Sequence, residues 1–248
     1  MTALSVNLNK IALVRNSRMS GVPSVTDAAI VALEHGADGI TVHPRPDMRH
    51  IRPEDVYALS AMLEVEFNIE GNPFEDALGD YPGFMQLVRD VKPEQCTLVP
   101  DSQDQLTSDH GWNLAAEGDR LKPIIAELKE MGIRVSLFMD AESEEFPLAA
   151  ELGADRVELY TESYADAYGT EIQQQVFEQF AAAAKRAAAA GLEINAGHDL
   201  DQENLGLLAS IPNLEEVSIG HALIADALAI GLGPAVRAYK DILLQAGR

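Results

Sequence analysis

The chain predicts a single-domain (β/α)8 barrel of the α/β class, and three observations carry that expectation. Short apolar runs alternate about eight times with amphipathic stretches of helical period, the pattern of a parallel sheet whose crossovers are helices. Gly stands where a helical stretch passes into the next apolar run, in Gly36-Ala37-Asp38, Gly132-Ile133-Arg134, Gly153-Ala154-Asp155 and Gly191-Leu192-Glu193, the place of a left-handed helix stop. Three apolar runs end in polar clusters: Val6-Asn7-Leu8-Asn9-Lys10, Thr41-Val42-His43-Pro44-Arg45 and Ile194-Asn195-Ala196-Gly197-His198. Strand ends are where such a barrel keeps its chemistry. With 248 residues against roughly 250 for a typical barrel, residues 1–248 are expected to form one catalytic domain.

The elements follow in order. A strand near 4–8 opens the chain and a helix near 25–35 runs to Gly36, which leads into a strand near 38–43. A helix near 53–65 precedes the strand near 67–70, which closes at Glu70 before Gly71-Asn72-Pro73. Next come a helix near 84–91, a strand near 95–99, a helix near 114–131 ending at Gly132, and a strand near 133–139. A helix near 143–152, a strand near 155–160 and a long helix near 170–190 follow, the last rich in Ala at 181–184 and 187–190, which favours helix. Strands near 192–196 and 215–219 flank a helix near 201–209, and helices near 221–230 and 234–246 complete the chain. An open doubly wound sheet is the competing architecture, but no Gly-rich dinucleotide fingerprint follows the first strand.

The formal charge is -22, which argues against nucleic acid or an anionic membrane as partner. Residues 1–52 nevertheless carry +2 against -24 for the remainder, as suits an enzyme for small phosphorylated substrates. A single cysteine, Cys96, leaves no disulfide framework or thiolate zinc site and reads as a buried core residue. With no signal-peptide pattern and no long apolar run, a soluble cytoplasmic protein is expected. No His/carboxylate spacing resembles a metal site, and no cofactor is expected.

His43-Pro-Arg45-Pro-Asp-Met-Arg49-His50 puts two imidazoles and two guanidiniums just past a strand. Guanidinium forks suit phosphate oxygens and imidazole transfers protons near neutral pH. Glu70, at a strand end, would enter the barrel mouth, where desolvation raises a carboxyl toward general acid/base use. His198 closes a strand whose Asn195-Ala196-Gly197 leaves room for a ligand, and Gly220-His221 follows the last strand, where barrels of this kind hold phosphate. Asp140, Glu158 and Thr161 also fall near strand ends, but any barrel mouth carries a polar ring.

Ordered matches along nearly the whole chain resemble one family, pyridoxine 5'-phosphate synthase. They include Val6-Asn7, Arg15-Asn16-Ser17-Arg18, the run Gly36 to His43, Arg49-His50-Ile51, Asn68-Ile69-Glu70, Leu98-Val99-Pro100, Tyr164-Ala165-Asp166-Ala167, Asn195-Ala196-Gly197-His198 and Ile219-Gly220-His221-Ala222. The resemblance implies a (β/α)8 barrel with added helices, assembled into homo-octamers. It also implies condensation of 1-deoxy-D-xylulose 5-phosphate with 3-amino-1-hydroxyacetone 1-phosphate without a metal. By the same resemblance, His43 and Glu70 accept protons and His198 donates one. Asn7, Arg18, Gly220 and His221 would hold the aminoketone phosphate, and Arg45, His50 and Thr107 the sugar phosphate.

The chain departs from the family's usual pattern at Asn9-Lys10, where Asp-His is common, and at Asp199 and Glu162, where Gly is common. Residues 71–83 read as an insertion. Asn9, Lys10 and Asp199 are expected among the substrate-binding groups, with Lys10 a fixed positive charge for a phosphate or oxyanion. Two other readings are a barrel that keeps a phosphate site without catalysis and an aldolase-like lyase acting on another sugar phosphate.

Overall fold

In the computed structural model, which describes residues 1–247 except Met19 and Gln103, eight parallel strands close into a barrel in sequence order. They are β1 (Ala3–Asn7), β2 (Gly39–Val42), β3 (Glu66–Gly71), β4 (Gln95–Leu98), β5 (Arg134–Asp140), β6 (Arg156–Tyr160), β7 (Glu193–Gly197) and β8 (Leu214–Ile219). Helices α1 (Asn9–Asn16), α2 (Val25–Glu34), α3 (Pro53–Met62), α4 (Phe84–Val91), α5 (Leu114–Glu130) and α6 (Phe146–Leu152) cross between the earlier strands. The later helices are α7 (Glu162–Ala167), α8 (Gln173–Ala189), α9 (Leu205–Leu208), α10 (His221–Ile230) and α11 (Leu232–Ala246). The predicted (β/α)8 barrel with extra helices is therefore the observed fold. Gly153 closes α6 at φ +100°, a conformation that favours glycine, and the other three predicted joins share its positive φ.

Helices α1 and α7 were not expected from the sequence. Leu13, at the cavity, and Val14 of α1 are exposed, so no clean apolar stripe marks the helix, and α7 is too short to show a period. Three expected helices start late because side chains capture backbone N–H groups ahead of them. Asp201 accepts from Glu203 and Asn204, Ser143 from Glu145 and Thr170 from Ile172, local turns that compete with helix.

Along each strand the side chains alternate with period two. One set, including Leu4, Val6, Ile40, Ile69, Cys96, Leu98, Val135, Val157, Ile194 and Val217, is buried in the apolar layer shared with the helices. The other set is largely polar, and some of its bonds join strands that are not neighbours, so these side chains cross the barrel interior. Arg156 of β6 donates to Gln95 of β4, and Gln95 donates to Glu216 of β8. Ser218 of β8 reaches Glu70 of β3 at 3.5 Å. The barrel centre is thus hydrophilic from floor to mouth.

Candidate active site

At the C-terminal mouth the strand ends enclose a cavity of about 340 Å³. Asn7, Asn9, Lys10, His43, Arg45, His50, Glu70, Thr107, His198, Asp199, Gly220 and His221 all line it. Arg18 does not, and is exposed on the surface.

The β1 end is a hinge of amides. Asn7 accepts the N–H of Asn9 at 2.9 Å and donates to Glu70 at 3.4 Å, while Asn9 accepts the N–H of His43 at 2.9 Å. Asn9 therefore ties the β2 end to the start of α1 through the backbone. Asn16 holds the following loop, its amide donating to the carbonyls of Met48, Arg49 and His50. Arg15, which pairs with Asp55, braces the same segment.

His43 is buried, with Nδ1 3.9 Å from Glu70 and Nε2 3.8 Å from Asp101. Burial first, and then the nearby Arg45, His50 and Arg49, hold its imidazole well below the usual range, so it is neutral at pH 7. The same causes in the order burial, Arg45, Arg49 and Lys10 lower His50 to about 3, and its Nδ1 accepts the N–H of Ile51 at 2.9 Å. Arg45 is buried, ion-paired with Asp101 and directed at the carbonyls of Ser102 and Gln105. Arg49 donates to Gln105 and Leu106. Two guanidiniums thus grip the loop after β4, which also brings Thr107 over the cavity.

Burial pushes the Glu70 carboxyl well up, and the facing carboxylates of Glu158, Glu216 and Asp101 push it further. Glu158 is the group that sequence reasoning set aside. Fully buried in the same cavity, it is raised by burial to about 7 although the charge of His198 and a hydrogen bond from Thr97 oppose this. Among the described residues its Oε2 has no hydrogen-bond partner. A Cβ on Gly197 would lie 2.4 Å from Glu158 Oε1, so the glycine before His198 makes room for this carboxyl. The sequence signal was Glu158 between Val157 and Leu159, a charge alternating with apolar side chains inside a strand.

His198 stands at φ +90°, its backbone fixed by Thr161, whose hydroxyl donates to the carbonyls of Gly197 and His198. Nε2 lies 2.8 Å from Thr107 Oγ1 and Nδ1 lies 2.8 Å from Asp199 Oδ2. That bond, against a partial burial that opposes it, holds the Asp199 carboxyl below its usual range, helped by the charges of His198, His221 and Lys10. Opposite, Gly220 caps α10, and its hypothetical Cβ would sit 3.1 Å from the Asn7 side chain. The first N–H groups of α10 lack helical partners, and with the helix dipole they favour an anion.

Buried bases, a carboxyl that titrates near neutrality, cations and a helix N-terminus share one cavity, and together with the fold they define a (β/α)8 enzyme equipped for proton transfer beside an anionic group. The sequence matches the family model described as pyridoxal phosphate biosynthesis protein PdxJ over residues 4–245, and the chain belongs to that family. It is 57% identical over 246 residues to the pyridoxine 5'-phosphate synthase of Xanthomonas axonopodis pv. citri (strain 306), covering 98% of this chain and 96% of that one. The pyridoxine 5'-phosphate synthase of Xylella fastidiosa (strain 9a5c) is 53% identical over 246 residues, covering 98% and 95%. Among solved structures, phosphoribosyl anthranilate isomerase from Thermus thermophilus superposes with a TM-score of 0.60 at 15% identity, over 98% of this chain and 99% of that one, a likeness of fold alone. Among the described residues no helix is long and apolar enough to cross a membrane.

Proposed function

We propose that the chain catalyses the pyridoxine 5'-phosphate synthase reaction, condensing 1-deoxy-D-xylulose 5-phosphate with 3-amino-1-hydroxyacetone 1-phosphate to pyridoxine 5'-phosphate, phosphate and water. The observation that carries this reading is the convergence of His43, Glu70 and His198 in one cavity with cations at its rim, in a member of this family. The substrate amine attacks the sugar ketone and water leaves to give an imine or enamine. Loss of phosphate, addition of water, an aldol-type closure and loss of two further waters then build the pyridine ring. Protons move at adjacent carbons, which calls for more than one acid/base group.

His43, kept neutral by burial, accepts a proton, and Glu70 is a strong base once ionised because its carboxyl is pushed up. His198 is the donor. Asn7, Gly220, His221 and the N-terminus of α10 take one phosphate. Arg45, His50 and Thr107 take the other, and Lys10 supplies a positive charge where the two meet. The reaction belongs to one catalytic domain, residues 1–248, acting in the cytoplasm without a cofactor. Val14 on α1, Ile30 on α2 and Leu228 and Ile230 on α10 are exposed apolar side chains, which suit association, in line with a homo-octamer.

The test is incubation of the purified protein with both substrates while pyridoxine 5'-phosphate and released phosphate are measured. Product and phosphate in equal amounts are expected. No product would overturn the reading, and cleavage of the sugar phosphate without the aminoketone would replace it with a lyase.

A further inference from the structure

The His198–Asp199 turn has a geometry that substrate binding does not explain. Both residues stand in the left-handed region, at φ +90° and +55°, a conformation costly for side chains other than those of Gly, Asn and Asp. It folds the Asp199 carboxylate back onto the imidazole before it, 2.8 Å from Nδ1, instead of presenting it to the cavity centre where a phosphate would be repelled. A carboxylate only accepts, so the proton of a neutral His198 resides on Nδ1 and Nε2 becomes the exchanging atom. Nε2 faces Thr107 at 2.8 Å, within the cavity.

Resting on the synthase reading above, we propose that Asp199 is a positioning residue that fixes the tautomer and orientation of His198, so that Nε2 takes up a proton at one step and delivers that proton to the substrate at a later one. The groups packed around the pair are consistent with this role. From β6, Tyr160 sets its ring edge-on to His198 at 5.0 Å, its hydroxyl donating to Glu162, and Glu158 lies close enough for its charge to feel His198. From the loop after β4 come Thr107 and, acting on Tyr160, Asp109. Lys10 of α1 places positive charge toward Asp199, offsetting its repulsion of an anionic substrate. Glu162 and Asp199, both departures from the family's usual glycine, thus act on the same imidazole, one through Tyr160 and one directly.

The test combines ¹⁵N NMR of the imidazole in the free protein with steady-state kinetics of Asp199→Asn and Asp199→Gly. Gly suits the φ of +55°, so that variant folds even if Asn disturbs the turn. In the wild type a neutral His198 protonated on Nδ1 is expected, and in both variants a shift toward the form protonated on Nε2. The kcat should fall about ten- to a hundredfold, as for a misplaced catalytic group, with KM for both phosphates within about threefold. Wild-type His198 protonated on Nε2, an unchanged kcat, or a loss confined to KM would each overturn the proposal. A wild type that does not turn over the two substrates refutes the synthase reading instead, while the NMR measurement still decides the tautomer.

Discussion

The floor and the mouth of the barrel both bury charge, and they treat it in opposite ways. At the floor, Arg134 bonds Glu66 at 2.8 Å and Arg156 bonds Glu193 at 2.7 Å and Gln95 at 3.1 Å, with Glu66 and Glu216 within 4 Å of Arg156. Burial pushes Glu66 up, but hydrogen bonds from Glu216 and Arg134 outweigh it and leave the carboxyl below its usual range. At the mouth, Glu70 has only weak donors, Asn7 at 3.4 Å and Ser218 at 3.5 Å, and faces other carboxylates. Among the described residues Glu158 keeps one oxygen without a hydrogen-bond partner, as does Glu66, whose oxygen however lies 3.7 Å from Arg156. The charge of Glu66 at the floor is compensated and serves the fold, while its neighbour Glu216 is pushed well up by burial and by Glu66. At the mouth Glu70 and Glu158 are left uncompensated, which destabilises their ionised forms and makes them reactive.

Four substitutions or conditions probe that contrast, from the largest effect down. Arg156→Met removes the cation from a buried cluster and should cost about 3–5 kcal/mol of stability, measured by urea unfolding, with kcat per folded molecule unchanged. Equal stability would show that the floor network does not hold the barrel together. Glu70→Gln should lower kcat by at least on the order of 10²-fold, about 2.7 kcal/mol of activation free energy. Its Tm should be equal or higher, because an amide replaces a carboxyl that burial disfavours when ionised. A near-normal kcat would remove Glu70 from the chemistry.

Acid should act on the mouth next. His50 is near 3 in the fold and about 6.5 unfolded. Below pH 6.5 the unfolded chain therefore takes up a proton that the native state refuses, and stability falls as pH falls. The slope is up to about 1.4 kcal/mol per pH unit until the folded value is reached, and His50→Gln should remove that component between pH 6.5 and 5. An identical slope in the variant would contradict the assignment. The smallest effect is that of Lys10→Met, which should raise KM for one phosphorylated substrate about three- to tenfold, whereas wild-type kinetics would leave Lys10 a rim residue without a role.

The contrast was only partly legible in the sequence. Strand ends announced themselves where polar clusters closed apolar runs, so His43, Glu70 and His198 were readable before their geometry. The hydrophilic interior was written as alternation, with Ser5 between Leu4 and Val6, Asn68 between Phe67 and Ile69, and Ser136 between Val135 and Leu137. Runs read as simply apolar concealed it. Glu158 was passed over because its importance depends on facing Glu70 across the interior, from a strand that is not its neighbour. Asp101 was missed because it lies in a loop, and only the fold joins it to Arg45. Arg18 was readable as a basic group near the right motif, and in this chain it is exposed outside the cavity lining.

The central claim is that Glu70 and Glu158 at the mouth are left uncompensated while Glu66 at the floor is paired with arginine. Titration of ¹³C-labelled glutamate side chains in the free protein by NMR, with Glu70→Gln and Glu66→Gln spectra for assignment, tests it most directly. Glu70 should titrate well above the ordinary carboxylate range, Glu158 near 7 and Glu66 below the ordinary range. Glu70 and Glu66 titrating together in the usual range would contradict it.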